Sequence, residues 1–156
     1  MFVWRLQARQ DKTETWVVAM IEKKLRTNIN FGRRCRILCV DDNALTIHLL
    51  SLILQQQGYD VLTSPNPTMA IKALKQGPVD LALLDYEMPQ MNGGELAAVV
   101  KCSGLATKVI LFSGNPSVFP DDLTFVDRFV RKSEGVEALL EAIDSLLPIT
   151  KCPFAL

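Results

Sequence analysis

From Cys35 onward, short apolar segments alternate with segments whose apolar residues recur at helical spacing. Such alternation predicts a parallel sheet, because parallel strands need a long crossover connection that is usually a helix. The chain is therefore expected to adopt an α/β fold, a doubly wound parallel five-stranded sheet with right-handed crossovers. The predicted strands are residues 35–40, 59–64, 79–84, 107–113 and 127–132, and the predicted helices are residues 44–57, 67–76, 94–102 and 134–147.

The connection between the fourth and fifth predicted strands differs from the other connections. Its sequence is GNPSVFPDDLTF, with prolines at Pro116 and Pro120. Proline inside a helix removes a backbone hydrogen bond and clashes with the preceding turn. We therefore expect a shortened fourth helix in this connection.

The length and composition of the chain suit one domain with a sizeable core. It has 156 residues, 49% of them hydrophobic, and no apolar run near the ~18 residues that span a bilayer. The opening MFVWRLQARQ lacks the apolar block of a secretory signal. The cysteines show no metal-binding spacing, so we expect a cytoplasmic protein with reduced thiols. They are Cys35, Cys39, Cys102 and Cys152.

The net charge of zero conceals an uneven distribution along the chain. Residues 1–34 carry eight Lys or Arg and three Asp or Glu, whereas residues 35–156 carry nine and fourteen. A body with a net charge of −5 argues against nucleic-acid binding. We interpret residues 1–34 as a basic extension, helical or disordered or beyond the true start, residues 35–147 as the folded domain, and residues 148–156 as a tail.

Polar residues follow the apolar part of four of the five predicted strands. Because the strands are parallel, their carboxyl ends lie at one edge of the sheet, where ligands bind in such folds. The convergence of these side chains is the strongest functional signal in the sequence. They are Asp41 and Asp42 after the first strand, Asp85 after the third, Ser113 after the fourth and Lys132 after the fifth.

Most of these residues also have a simpler interpretation when taken singly. Asp42 or Asn43 could cap the first helix, which is a common use of Asp and Asn. Ser113 could be a turn residue, and Lys132 could be an exposed lysine at a strand end. Asp85 is harder to explain in this way, because a carboxylate that closes a buried strand needs partners.

The clustered carboxylates predict a metal site. Two like charges about 4 Å apart cost about 4 kcal/mol at an effective dielectric of 20, and a divalent cation removes that cost. Mg²⁺ suits a site with two or three carboxylates that leaves positions for water or phosphate oxygens. A lysine and a serine hydroxyl can then bind a phosphoryl group. The set therefore predicts a Mg²⁺-phosphoryl site with a carboxylate nucleophile.

Four segments together resemble the receiver domain of two-component response regulators. They are RILCVDDN, LALLDYEMPQMNG, VILFSG and RFVRKS, in this order, and the resemblance covers residues 35–147. It implies a flavodoxin-like (βα)5 fold with strand order 2-1-3-4-5.

The resemblance also implies a role for each matching carboxylate. Asp85 would be the phosphoacceptor, which takes a phosphoryl group from a phosphohistidine. Asp42 would bind Mg²⁺ directly and Asp41 mainly through water. The backbone carbonyl of Glu87 would be a further metal ligand.

Three further residues match the parts of the family that respond to phosphorylation. Ser113 would donate a hydrogen bond to a phosphoryl oxygen, and Lys132 would pair with that group. Phe129 falls at the switch-aromatic position, which turns inward when the serine or threonine moves.

The implied function is a stand-alone signalling switch rather than an enzyme. Its partners would be a sensor histidine kinase or phosphotransfer protein and a downstream protein, with a homodimer possible and no membrane contact. One alternative is a Mg²⁺-dependent phosphatase of the haloacid-dehalogenase type, although that family typically has an Asp where Glu87 stands. The other alternative is an inert receiver-fold scaffold, against which the complete set of polar residues argues.

One departure from the family leads to a structural prediction. The family usually has proline after the lysine, often in a cis linkage, whereas this chain has Ser133. A cis peptide without proline costs about 2.5–4 kcal/mol. We therefore expect a trans bond between Lys132 and Ser133, with Ser133 capping the last helix.

Overall fold

The structure is a computed structural model that describes residues 34–147. Each predicted strand and helix is present, with ends that differ from the prediction by at most two residues. The strands are β1 (Arg36–Val40), β2 (Asp60–Ser64), β3 (Val79–Leu84), β4 (Ala106–Ser113) and β5 (Arg128–Arg131). The helices are α1 (Ala44–Gln56), α2 (Pro67–Leu74), α3 (Gly93–Cys102) and α4 (Gly135–Leu146).

All five strands pair in parallel in the order β2-β1-β3-β4-β5. This order confirms the flavodoxin-like doubly wound sheet. The central strand β3 is buried along its length, apart from the partly exposed Asp80. All the carboxyl ends of the strands therefore lie at one edge, with β1, β3 and β4 adjacent there.

The two faces of the sheet carry separate hydrophobic cores. Side chains alternate along a strand, so Leu81 and Leu83 face one core while Ala82 and Leu84 face the other. Helices α1 and α4 cover the first face, and α2 and α3 cover the second. The apolar runs of the sequence are explained by this burial on both faces.

Three leucines of helix α1 lie outside its buried face. The side chains of Leu45, Leu49 and Leu52 are 66%, 50% and 45% exposed, whereas Leu50 and Leu54 pack in the core. The prediction of a helix is confirmed, and α1 presents an apolar stripe to its outside.

The connection between β4 and β5 contains no α-helix. A short 3-10 turn, Pro120–Leu123, stands where a fourth helix would be. The predicted shortening of this helix is therefore confirmed.

The described residues contain no cis peptide bond. The Lys132–Ser133 bond is therefore trans, as expected. The prediction that Ser133 caps the last helix is wrong. Residues Lys132–Glu134 form a 3-10 turn, which moves the helix start to Gly135 and leaves Glu134 at the capping position. The Glu134 carboxylate accepts a hydrogen bond from the Arg131 N–H at 3.0 Å instead.

Cys39 is buried and Cys102 is exposed, and both carry free thiols. None of the helices within residues 34–147 is both long enough and apolar enough to cross a membrane. The predictions for the extension, the tail and Cys152 fall on residues 1–33 and 148–156, outside the described part of the chain.

Candidate functional site

The carboxylates after β1 and β3 are brought together by the strand register. Val40 pairs with Leu84, and the N–H of Asp85 donates to the Val40 carbonyl at 2.8 Å. Asp41 and Asp85 are buried, whereas Asp42 is exposed. One carboxylate oxygen from each of these three aspartates lies within 4.8 Å of the others. The sheet edge therefore holds a compact cluster of hard oxygen donors.

Lys132 reaches this cluster from the end of β5. Its Nζ lies 2.7 Å from Asp41 Oδ2, 3.1 Å from Asp85 Oδ1 and 6.0 Å from the centroid of the Phe112 ring. Burial alone would lower the pKa of Lys132, but the hydrogen bond to Asp41 and the charge of Asp85 outweigh it and raise that pKa. The lysine is therefore held in its charged form between two carboxylates.

Asp85 lies in a more strongly perturbed environment than an ordinary surface aspartate. Burial raises its pKa, the charge of Lys132 opposes that rise, and the charge of Asp41 adds to it, so that the net pKa is raised. The Tyr86 N–H donates to Asp85 Oδ1 at 3.0 Å. A cation at the cluster would favour the charged form of Asp85 and counter the effect of burial.

Ser113 ends β4 next to this cluster and is fully buried. Its Oγ accepts a hydrogen bond from the Asn115 N–H at 3.0 Å. Because Oγ is the acceptor in this bond, the hydroxyl of Ser113 can still donate its hydrogen to another group.

Glu87 lies in the loop after β3, and Phe129 lies in β5. The exposed Glu87 carboxylate accepts a hydrogen bond from Asn115 Nδ2 at 2.8 Å. Phe129 lies in β5, half-buried, and packs against the core that α2 and α3 cover. The metal-ligand role of the Glu87 carbonyl and the switch role of Phe129 stay predictions.

Sequence reasoning missed a second set of polar contacts beside the cluster. The buried Tyr86 donates its hydroxyl to Asp122 Oδ2 at 2.8 Å, and Asn92 Nδ2 lies 3.4 Å from the same oxygen. Asn92 also caps α3 in a reciprocal pair with Glu95. The spacing of Asn92 and Glu95 is a sequence signal for the cap, but no local signal points to Asp122.

The donor set of the cluster fits Mg²⁺. This cation prefers oxygen ligands and is usually held by one or two carboxylates while it keeps several waters. Asp41 and Asp42 with Asp85 supply carboxylates of that kind in one place, and the ammonium of Lys132 lies beside them to face a further anion. The residues present could therefore hold both Mg²⁺ and a phosphoryl group.

Residues 37–144 match the family model described as the response regulator receiver domain. Among curated relatives, the transcriptional regulatory protein GlrR of Escherichia coli K12 is 30% identical over 115 residues, which cover 71% of this chain and 26% of GlrR. The chain spans from 8% to 50% of the length of the first curated relatives that it matches.

Solved structures of response regulators also align with this chain. The response regulator TrrA of Thermotoga maritima, crystallised with Mg²⁺ and BeF, is 36% identical with a TM-score of 0.67, over 72% of this chain and 99% of that one. TrrA in complex with the histidine kinase ThkA aligns with 34% identity and a TM-score of 0.64, over 72% and 98% of the two chains. From the fold, the carboxylate cluster and these matches, the chain belongs to the response regulator receiver domain family.

Proposed function

We propose that this chain is a phosphorylation-controlled switch of a two-component system, in which Asp85 accepts a phosphoryl group from a histidine kinase. The observation that carries the proposal is the cluster of three aspartates with Lys132 bound to two of them. The complex of TrrA with a histidine kinase supports the choice of phosphoryl donor.

Asp41, Asp42 and Asp85 would hold Mg²⁺, with the Glu87 carbonyl as a further ligand. The oxygens of the three side chains already lie within 4.8 Å of one another. When bound, the cation supplies positive charge that offsets the repulsion among the carboxylates and the incoming phosphoryl oxygens.

Asp85 would act as the nucleophile. One of its carboxylate oxygens attacks the phosphorus of a phosphohistidine, the new P–O bond forms, and the P–N bond breaks with its electron pair leaving on the imidazole nitrogen. The ammonium of Lys132, now 3.1 Å from Asp85 Oδ1, would transfer its interaction to a phosphoryl oxygen. Lys132 therefore positions the nucleophile before transfer and stabilises the added charge afterwards.

Phosphorylation would then act on Ser113 and Phe129. A phosphoryl group adds roughly 1.5 to 2 negative charges and three acceptor oxygens. The hydroxyl of Ser113 is the neighbouring donor at the end of β4, and it reaches such an oxygen by moving with its loop. Because Ser113 would contact the phosphoryl group in only one of two conformations, phosphorylation would shift the balance toward that conformation.

The test is the intact mass of the chain after incubation with acetyl phosphate, with and without Mg²⁺. We expect one added phosphoryl group on the wild type in the presence of Mg²⁺ and none on Asp85→Asn. Asp80→Asn is the matched control, because Asp80 lies in β3, the strand that Asp85 follows, but accepts a hydrogen bond from the Arg36 N–H at 2.8 Å. This control should be phosphorylated like the wild type.

Three outcomes would contradict the proposal. They are no adduct on the wild type, an equal adduct on Asp85→Asn, and an adduct that forms equally well after chelation of Mg²⁺. A second assay measures the release of phosphate from an aryl phosphate. Repeated turnover in that assay would favour the phosphatase alternative over the switch.

A further inference from the structure

The β4–β5 connection, residues 114–127, is fastened to the rest of the domain near its far end. Asp122 Oδ2 accepts hydrogen bonds from the Tyr86 hydroxyl at 2.8 Å and from Asn92 Nδ2 at 3.4 Å. Tyr86 directly follows Asp85 and is buried, so these bonds are partly shielded from water. Hydrogen bonds to a charged acceptor are stronger than neutral ones.

A glycine allows the connection to lie directly on helix α3. A Cβ placed on Gly94 would overlap Asp122 and approach its carbonyl oxygen to 2.7 Å. Because any other residue would displace the backbone at Asp122, the 3-10 turn can pack this closely on α3 only with glycine at position 94. The Asp122 carboxylate also lies beside the first turn of α3, where negative charge is favourable.

The near end of the same connection is attached to Ser113, which the proposed reaction would move, and to Glu87. The Asn115 N–H donates to Ser113 Oγ at 3.0 Å, and its side-chain amide donates to Glu87 at 2.8 Å. Between the two ends, residues 114–121 include Phe119, which is 71% exposed. The segment therefore connects Ser113, which would move, with Asp122, which is held in place.

We propose that Asp122, held by Tyr86 and Asn92, is a fixed anchor against which the movement of Ser113 rearranges residues 114–121. This inference rests on the proposed function, because phosphorylation is what would move Ser113. A segment held at its far end must change its path when its near end moves, whereas a segment with a loose far end can slide as a whole. The anchor thus makes the surface around Phe119 the part of the molecule that reports the state of Asp85.

The anchor is tested by hydrogen–deuterium exchange of the full chain in its resting state. The variant is Tyr86→Phe, which removes the hydroxyl and keeps the ring, and Asp122→Ala is a second variant that removes the acceptor. The amides of Asp122, Thr124 and Val126 bond within the turn at 3.1, 3.2 and 3.1 Å. We expect these amides to exchange about 2- to 10-fold faster in both variants, as the loss of one hydrogen bond implies.

Tyr59→Phe is the matched control. The Tyr59 hydroxyl also donates to an aspartate, Asp144, at 3.2 Å, but Tyr59 packs with the core of the opposite face. Its removal should leave exchange in residues 114–127 unchanged. Equal exchange of these residues in Tyr86→Phe and the wild type would overturn the anchor.

The coupling is tested by repeating the exchange with Mg²⁺ and beryllium fluoride, a mimic of the phosphoryl group. We expect a change in residues 114–121 of the wild type that is at least halved in Tyr86→Phe. Calorimetric titration with beryllium fluoride separates the two proposals. If the wild type binds none, both the proposed function and the coupling are overturned. If it binds the mimic and both proteins change equally, the anchor alone is overturned.

Discussion

The carboxylate of Asp127, just before β5, binds side chains or backbone of both α3 and β4. It accepts hydrogen bonds from Lys101 Nζ at 2.6 Å and from the Val109 N–H at 2.7 Å, and Lys108 Nζ lies 3.7 Å away. Burial alone would raise the pKa of Asp127, but the hydrogen bonds from Lys101 and Val109 and the charges of both lysines outweigh it. The net pKa is therefore lowered.

This lowered pKa predicts a pH-dependent contribution to stability. The stabilisation by Asp127 is present above the unfolded pKa of about 3.9 and is lost as the pH falls through the lower folded pKa. We expect Asp127→Asn to lower the free energy of unfolding by about 1–2 kcal/mol at neutral pH, and by much less at a pH below the folded pKa of Asp127. Urea unfolding at the two pH values measures both differences.

Asp60→Asn serves as the control for this prediction. The Asp60 carboxylate pairs with Arg36 at 3.0 Å but is 53% exposed, so its loss should cost less than about 1 kcal/mol at neutral pH. A loss in Asp127→Asn that stays the same at both pH values would contradict the assignment of a lowered pKa.

At the scale of elements, helix α1 contains both buried and exposed leucines, so it shows how much burial contributes to stability for the same side chain. Leu54 is fully buried in the core of its face, whereas Leu52, two residues earlier, is 45% exposed. We expect Leu54→Ala to lower the free energy of unfolding by about 2–5 kcal/mol, because it leaves a cavity. Leu52→Ala should cost less than about 1.5 kcal/mol, because much of its side chain is already in water.

Denaturant unfolding of the two leucine variants gives the comparison directly. Both substitutions keep the helix propensity, since Ala is the best helix former. Equal losses in the two variants would show that the exposed stripe of α1 is covered by other parts of the protein in solution.

Local sequence signals account for most element ends. The side chains of Asn43, Asn66 and Asn92 each cap the helix that follows, and Gly58 follows α1 with a positive φ of 90°. The cap of the last helix is wrongly predicted because the 3-10 turn Lys132–Glu134 includes Ser133, the residue expected to cap it. Lys132, at the start of this turn, also pairs with Asp41 and Asp85, a contact that its neighbours in the sequence do not encode.

At the scale of the whole molecule, the sheet and the charged cluster could be predicted for the same reason. Apolar runs define the strands, and in a parallel sheet polar residues at their carboxyl ends must share one edge. The prediction therefore brought Asp41, Asp85 and Lys132 together across up to 91 residues of chain, as the structure has them. The strand order itself came from the resemblance to the receiver family.

The contacts of Asp122 could not be predicted in this way. Asp122 is 36 residues from Tyr86 and 30 from Asn92, and it lies in an irregular connection with no periodicity to place it. The same holds for the contact between Asn115 and Glu87, 28 residues apart. Both depend on how two loops meet above the sheet, and neither loop encodes the path of the other.

The central claim is that Asp85, among three clustered aspartates, carries the phosphoryl group. The most direct measurement treats the phosphorylated chain with borohydride, which reduces an aspartyl phosphate to homoserine, and locates homoserine by peptide mass spectrometry. The account predicts homoserine at position 85 and aspartate at positions 41 and 42. Homoserine at position 41 or 42, with position 85 unchanged, would contradict it.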